Sequence, residues 1–257
     1  MTMDVFHSGF VTFLGRPNAG KSSLLNAIMG KKLAIASSTA QTTRHRFRAI
    51  YTTDSYQMIL VDTPGVHKPH DALGEELNTT ALKSLEGIDV VAFLLDASQP
   101  LGKGDEWVLN QIKTLRIPKI LVINKIDLVD ADTIAEQRTR AQKYIDWDGE
   151  VALSAKEHDG IDEFLSLVAQ FLPEGPLWFP ADAETDQPIE VLIAEFIREK
   201  ILYNAYDEVP HAVGVVVDDM TYNRRKDLES IFATIYVERD SQKGIIIGKG
   251  GSCIKEI

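Results

Sequence analysis

The sequence predicts an α/β protein: a three-layer domain with a mostly parallel sheet, followed by a smaller α+β domain. Three observations carry that expectation. Apolar runs of strand length alternate with helical segments from Phe10 to Phe171, and the polar clusters fall where strands end. Between Pro173 and Pro188 the composition shifts to Pro173, Pro176, Pro180 and Pro188 among acidic residues, which marks a linker. Beyond it, a helical stripe precedes two β-rich runs. The domains are therefore expected at 1–173 and 189–257, joined by 174–188.

Composition narrows the class. With 257 residues, 44% hydrophobic and 25% charged, the chain can build two ordinary cores and is not a disordered protein. The longest apolar runs, such as Val90 to Leu95 closed by Asp96, are far too short to cross a bilayer, and no signal-like segment opens the chain, so a cytosolic protein is expected. The single cysteine, Cys253, excludes an internal disulfide and a Cys-based zinc site. A net charge of −11 argues against a protein wrapped wholesale in nucleic acid and leaves room for a local basic face.

Taken in order, Phe10 to Leu14 reads as a strand and Ser23 to Met29 as a helix. Between them stands Gly15-Arg16-Pro17-Asn18-Ala19-Gly20-Lys21-Ser22, a full G-x-x-x-x-G-K-S/T phosphate-binding loop of the P-loop NTPases. Its glycines let backbone N–H groups converge, Lys21 reaches β- and γ-phosphates, and the Ser22 hydroxyl is a Mg²⁺ ligand. Lys31 to His45 is an aperiodic loop, and 46–53 with 56–61 form a hairpin whose second strand ends in Asp62-Thr63-Pro64-Gly65. Helix is expected at 73–85, strand at 88–96, helix at 105–115, and strand at 119–123 ending in Asn124-Lys125-Ile126-Asp127. Helix 133–144, strand 150–153 ending in Ser154-Ala155-Lys156, and helix 161–171 close the domain.

In the second domain, Ile189, Leu192, Ile193, Phe196, Ile197 and Ile201 mark the core face of a helix over 189–203. Strands are expected at 212–218 and 230–238, joined by a polar connection at 219–229. Gly248-Lys249-Gly250-Gly251 then forms a G-x-x-G loop. After helix–strand–strand, and with seven Lys and Arg against five Asp and Glu over 224–257, it resembles the loop with which KH modules clamp a single-stranded nucleic-acid backbone. Gly248, Lys249, Gly250 and Gly251 are the expected RNA contacts.

Together, the phosphate loop, Gln41-Thr42-Thr43-Arg44-His45, Asp62-Thr63-Pro64-Gly65, Asn124-Lys125-Ile126-Asp127 and Ser154-Ala155-Lys156 stand in the order and spacing of a translation-factor-class GTPase. With the KH-like segment behind them, the chain resembles the Era-type GTPases over nearly its whole length. Such modules continue past the G-x-x-G loop with a further helix and strand. The second domain is therefore expected to be truncated at Ile257.

The resemblance implies GTP or GDP with Mg²⁺ as cofactors, held by Gly15, Asn18, Ala19, Gly20, Lys21, Ser22, Ser23, Asp62, Gly65, Asn124, Lys125, Asp127, Ser154, Ala155 and Lys156. The metal falls to Ser22, Asp62 and Thr42, with Thr43 as the alternative threonine. Lys21, Asn18, Thr42 and Gly65 are the residues placed at the reaction. The base-reading step also has its own logic: the Asp127 carboxylate accepts two hydrogen bonds from guanine that adenine cannot donate. Asn124 and the Lys125 stem are expected to hold and cover the ring, and the Ala155 N–H to reach O6. Val66 stands where many small GTPases carry a water-orienting glutamine, and Asn18 is then the candidate to help hold K⁺ beside the phosphates.

Further implications of the resemblance are the 3′ end of small-subunit ribosomal RNA and the small subunit as partners, a role in subunit assembly, a monomer, and a peripheral association with the inner face of the cell membrane. A different class of function is an RNA-binding module in which GTP only stabilises the fold. A third, a GTPase working with an RNA-modifying enzyme, lacks any further catalytic domain here. His67 and His70 form an H-x-x-H with no third ligand nearby, and Arg44, Arg46 and Arg48 read equally well as a solvated loop and strand.

Overall fold

The computed structural model describes residues 5–35, 47–62, 85–204 and 213–257. Thr42, Thr43, Gly65, Val66, His67, His70 and most of the helix expected at 73–85 lie outside the described residues. Among the described residues the chain divides into two compact units, the first reaching Asp186 and the second beginning at Gln187.

The first unit is organised by β4 (Val90–Asp96), whose seven residues are all buried. Its side chains alternate between two cores: Val90, Ala92 and Leu94 face one, and Val91, Phe93 and Leu95 the other. A strand apolar on both faces belongs inside a parallel sheet covered by helices. That sheet has six strands in the order β2-β3-β1-β4-β5-β6, where β1 is His7–Leu14, β2 Phe47–Thr52, β3 Tyr56–Asp62, β5 Lys119–Asn124 and β6 Gly149–Leu153. All its pairings are parallel except β2 with β3, the expected hairpin. Helices α1 (Lys21–Met29) and α4 (Ile161–Ala169) supply Leu24, Leu25 and Phe164 to one core, and α2 (Lys103–Ile112) and α3 (Ala131–Gln142) supply Val108, Leu109 and Ala141 to the other.

The parallel register has a direct functional consequence. It sets Phe13 opposite Asp62, Leu14 opposite Phe93, Asp96 opposite Asn124, and Asn124 opposite Leu153, so every polar motif after a strand emerges along one edge of the sheet.

The proline-rich segment is fastened along the first unit. The Gln57 side chain, fully buried, accepts from the N–H groups of Trp178 and Phe179 at 2.9 and 3.0 Å and donates to the Phe179 carbonyl at 3.0 Å. Further on, Ile50 N–H donates to the Glu184 carbonyl and Arg48 pairs with Asp186 at 3.0 Å.

In the second unit, α5 (Ile189–Asn204) and α6 (Asp240–Ile247) enclose a small core of Ile201, Val213 and Ile246 with β7 (Val213–Asn223) and β8 (Leu228–Val237). The connection expected at 219–229 is mostly strand, with a bulge between Val217 and Asp219 and cross-strand pairs continuing to Asn223 and Leu228. Polar side chains on an exposed two-stranded ribbon hid it, because pairing across strands rather than apolar alternation holds that part together. Cys253 lies in α7 (Ser252–Glu256), directly after the glycine-rich loop.

Candidate nucleotide-binding site

The residues at the carboxyl edge of the sheet surround a cavity of about 380 Å³ whose walls include Gly20, Ser23, Lys125, Asp127, Ala155 and Lys156. Asn124 ties its parts together. Buried to 1% exposure, its amide donates to the Ala19 carbonyl at 2.9 Å and its oxygen accepts from Ala155 N–H at 3.1 Å and Lys125 N–H at 2.8 Å. Asn124 thus joins the loops around the cavity, and the Ala155 N–H, expected to reach the base O6, meets the Asn124 oxygen in this structure. The approach is so close that a Cβ at Gly20, which has φ +98°, would sit 2.1 Å from the Asn124 amide nitrogen. Only glycine serves at that position.

The carboxylate of Asp127 is oriented from the next strand end: Ser154 Oγ donates to its Oδ1 at 2.6 Å. Beside it Leu128 is 60% exposed on the cavity wall, a residue that the sequence reading did not single out; the only signal was a large apolar side chain following a polar motif. Lys156 also lines the cavity, with its ammonium paired to Glu157 at 3.0 Å.

At the other end, α1 starts directly from the phosphate loop, so the N–H groups of its first turn point back into it. Lys21 is 7% exposed, and its ammonium donates to the carbonyls of Gly15 and Arg16 at 3.1 and 3.0 Å. Burial lowers its pKa to about 8, with the nearby Asp62 charge opposing the shift. Ser22 Oγ donates to Asp62 Oδ2 at 2.8 Å, which brings the two expected metal ligands together from α1 and β3. A hydroxyl and one carboxylate are hard oxygen donors, few in number, and fit a Mg²⁺ that completes its shell with phosphate and water. Asn18 is exposed in the loop with φ +65°.

The glycines of the second unit are placed between two helices. Gly248, with φ +71°, closes α6, and a Cβ there would meet Cys253 Cβ and N at 2.8 Å. A Cβ on Gly250 meets nothing within 4 Å, so this part of the loop faces open space beside the exposed Lys249.

The first unit and its cavity thus define a P-loop GTPase, and the second has the helix–loop–helix glycine arrangement of a KH module. Comparison with known proteins agrees: residues 10–125 match the family described as 50S ribosome-binding GTPase, and residues 208–257 match the KH domain family. The structure is similar to that of Era in complex with MgGDPNP and nucleotides 1506–1542 of 16S ribosomal RNA, at 36% identity and a TM-score of 0.92 over 98% of this chain and 85% of that one. It is equally similar to an Era variant from Aquifex aeolicus bound to GDP and AlF4⁻, at 36% identity and a TM-score of 0.91 over 98% of this chain and 86% of that one. A bacterial selenocysteine-specific elongation factor shares the fold alone, at 15% identity and a TM-score of 0.52 over 65% of this chain and 28% of that one. The chain belongs to the Era family of GTPases.

Proposed function

We infer that this chain is a GTP-hydrolysing switch that binds the 3′ end of small-subunit ribosomal RNA through its KH unit and acts in assembly of the small subunit. The observation that carries the nucleotide part is the Asn124 node, which joins the phosphate loop, the Lys125 backbone and the Ala155 loop beside the cavity that Asp127 also lines. The similar Era structure carrying a 16S ribosomal RNA segment favours the small subunit as target over the large subunit in the family description of residues 10–125.

In this reading guanine lies against Asp127, whose carboxylate accepts from the ring N1–H and the 2-amino group while Ser154 keeps it aimed. Lys21 turns its ammonium from the loop carbonyls to the β- and γ-phosphates. Ser22 and Asp62 would hold Mg²⁺, joined by Thr42 or Thr43, and the ion would supply neutralisation of phosphate charge. With Val66 unable to orient water, we assign the remaining charge stabilisation to K⁺ held at Asn18. Asn18 stands in the phosphate loop with its backbone in the left-handed region. Turnover in K⁺ against Na⁺ at equal ionic strength checks this: a K⁺ advantage lost in Asn18→Ala is expected, and equal rates in both salts reject it.

No helix among the described residues is long and apolar enough to cross a membrane. We place the protein in the cytoplasm, as a monomer with a peripheral association with the inner face of the membrane. The deciding experiment for the whole reading is GTP turnover with and without an oligonucleotide of the small-subunit RNA 3′ end. Turnover that responds to the RNA is expected. Tight GTP binding with negligible turnover in both conditions would leave an RNA-binding module with a structural nucleotide.

A further inference from the structure

The end of β4 carries a carboxylate that belongs to none of the nucleotide motifs. Asp96 is 5% exposed and lies between the strands that feed the two halves of the cavity: β1, which leads into the phosphate loop, and β5, which leads into Asn124 and Lys125. Its Oδ2 accepts from Lys125 Nζ at 2.7 Å and lies 3.8 Å from Arg16 Nη2. Its Oδ1 accepts from the Ser98 N–H and hydroxyl at 3.0 and 2.6 Å. Burial would push this carboxyl up, but the hydrogen bonds from Lys125 and Ser98 outweigh it and hold it below the ordinary carboxylate range.

The chain of charge continues beyond Asp96. The other guanidinium nitrogen of Arg16 lies 3.6 Å from Asp105 Oδ2, a fully buried carboxylate that also accepts from Gly102 N–H at 3.0 Å. Arg16 is the residue whose carbonyl receives Lys21. Lys125, Asp96, Arg16 and Asp105 therefore run in sequence from the base side of the cavity to the back of the phosphate loop.

A lysine on a flexible four-carbon stem loses rotamer freedom when it is fixed, so an unanchored Lys125 would leave the cavity wall for solvent. We propose that Asp96 is a positioning residue for the guanine nucleotide: it pins the Lys125 stem as a wall of the base pocket and, through Arg16, ties that wall to the phosphate loop. The bound nucleotide then leaves slowly because both ends of its pocket are held by one carboxylate. This rests on the guanine-nucleotide reading of the cavity.

The test is dissociation of a fluorescent N-methylanthraniloyl GDP from the full chain in Mg²⁺ buffer, with steady-state GTP turnover alongside. Asp96→Asn is expected to speed dissociation about tenfold and to raise KM by a similar factor, with kcat at saturating GTP within twofold of native. Lys125→Met is expected to speed dissociation and raise KM in the same direction, and the double variant to be no faster than Asp96→Asn, because that substitution already breaks the Lys125 contact. Independent, multiplying effects would overturn the proposal, as would an Asp96→Asn chain that releases the probe at the native rate. If Asp96→Asn does not fold, Lys125→Arg decides: it keeps a charge within reach of Asp96 and should stay within about threefold of native, whereas release as fast as from Lys125→Met overturns the idea. A native chain that never binds the probe rejects the nucleotide reading itself, while a native chain that binds it with insensitive variants rejects only the role of Asp96.

Discussion

The chemistry of the cavity rests on single side chains whose partners are already set. Asp127 is held by Ser154 through one carboxylate oxygen, and an asparagine in its place retains an oxygen to accept that bond. Asp127→Asn should therefore fold and shift preference from guanine to xanthine nucleotides, since its amide can donate to the xanthine oxygen where the carboxylate accepted from the guanine amino group. Competition binding of GDP and XDP checks it, and unchanged GDP affinity would remove Asp127 from base reading. Asp96 makes a different prediction, about pH. Its folded-state pKa lies below the ordinary 3.8, so its contribution to stability is complete above that value and is lost as pH falls through the folded value. The difference in Tm between the nucleotide-free native chain and Asp96→Asn should be full at neutral pH and should shrink below about pH 3.8. A gap that stays constant down to pH 3, followed by thermal melts, would mean that the Asp96 charge does not contribute to the fold.

At the scale of elements, the loops act because the strands and helices that carry them leave little choice of position. In the KH unit the glycine loop is fixed at Gly248, where Cys253 excludes a side chain, and is open at Gly250. Gly250→Asp should accordingly keep the helices, since aspartate tolerates a positive φ better than most residues, while placing a negative charge on the loop proposed to meet the RNA backbone. RNA affinity should fall at least tenfold with the circular dichroism spectrum unchanged; full affinity in a folded variant would show that the loop does not meet RNA. This contrast between positions also explains what the sequence made legible. The phosphate loop, Asp62, Asn124 and Asp127 stood out because each is a residue type demanded by local geometry at a strand end, so motif and spacing report the site. Asp96, Arg16 and Asp105 escaped notice because their meeting depends on the register of β4 against its neighbours and on the placing of α2, which no local pattern encodes. Gln57 was hidden for the same reason: its partners Trp178 and Phe179 lie more than a hundred residues away. The outer half of the β7–β8 ribbon was missed because its polar side chains carry no period-2 signal, although its backbone pairs throughout.

The whole molecule combines two units of very different internal support. The first has two cores, one on each face of the sheet, with 25 and 15 buried apolar residues, while the core of the second gathers three among the described residues. Stability scales with the apolar area removed from water, so the second unit should be the first to melt. The proline-rich segment does not change this order, because its hydrogen bonds with Gln57, Ile50 and Arg48 belong to the first unit. Calorimetry of the full chain should show two transitions. Nucleotide sharpens the prediction, since a ligand stabilises only the unit that binds it: GDP at a hundred times its Kd adds about 2.7 kcal/mol to the first unit and nothing to the second. The later transition should therefore move up with GDP while the earlier one stays, and an RNA oligonucleotide should do the reverse. A single transition that GDP shifts as a whole would mean that the two units unfold as one cooperative body, and that the small core of Ile201, Val213 and Ile246 does not set a transition of its own.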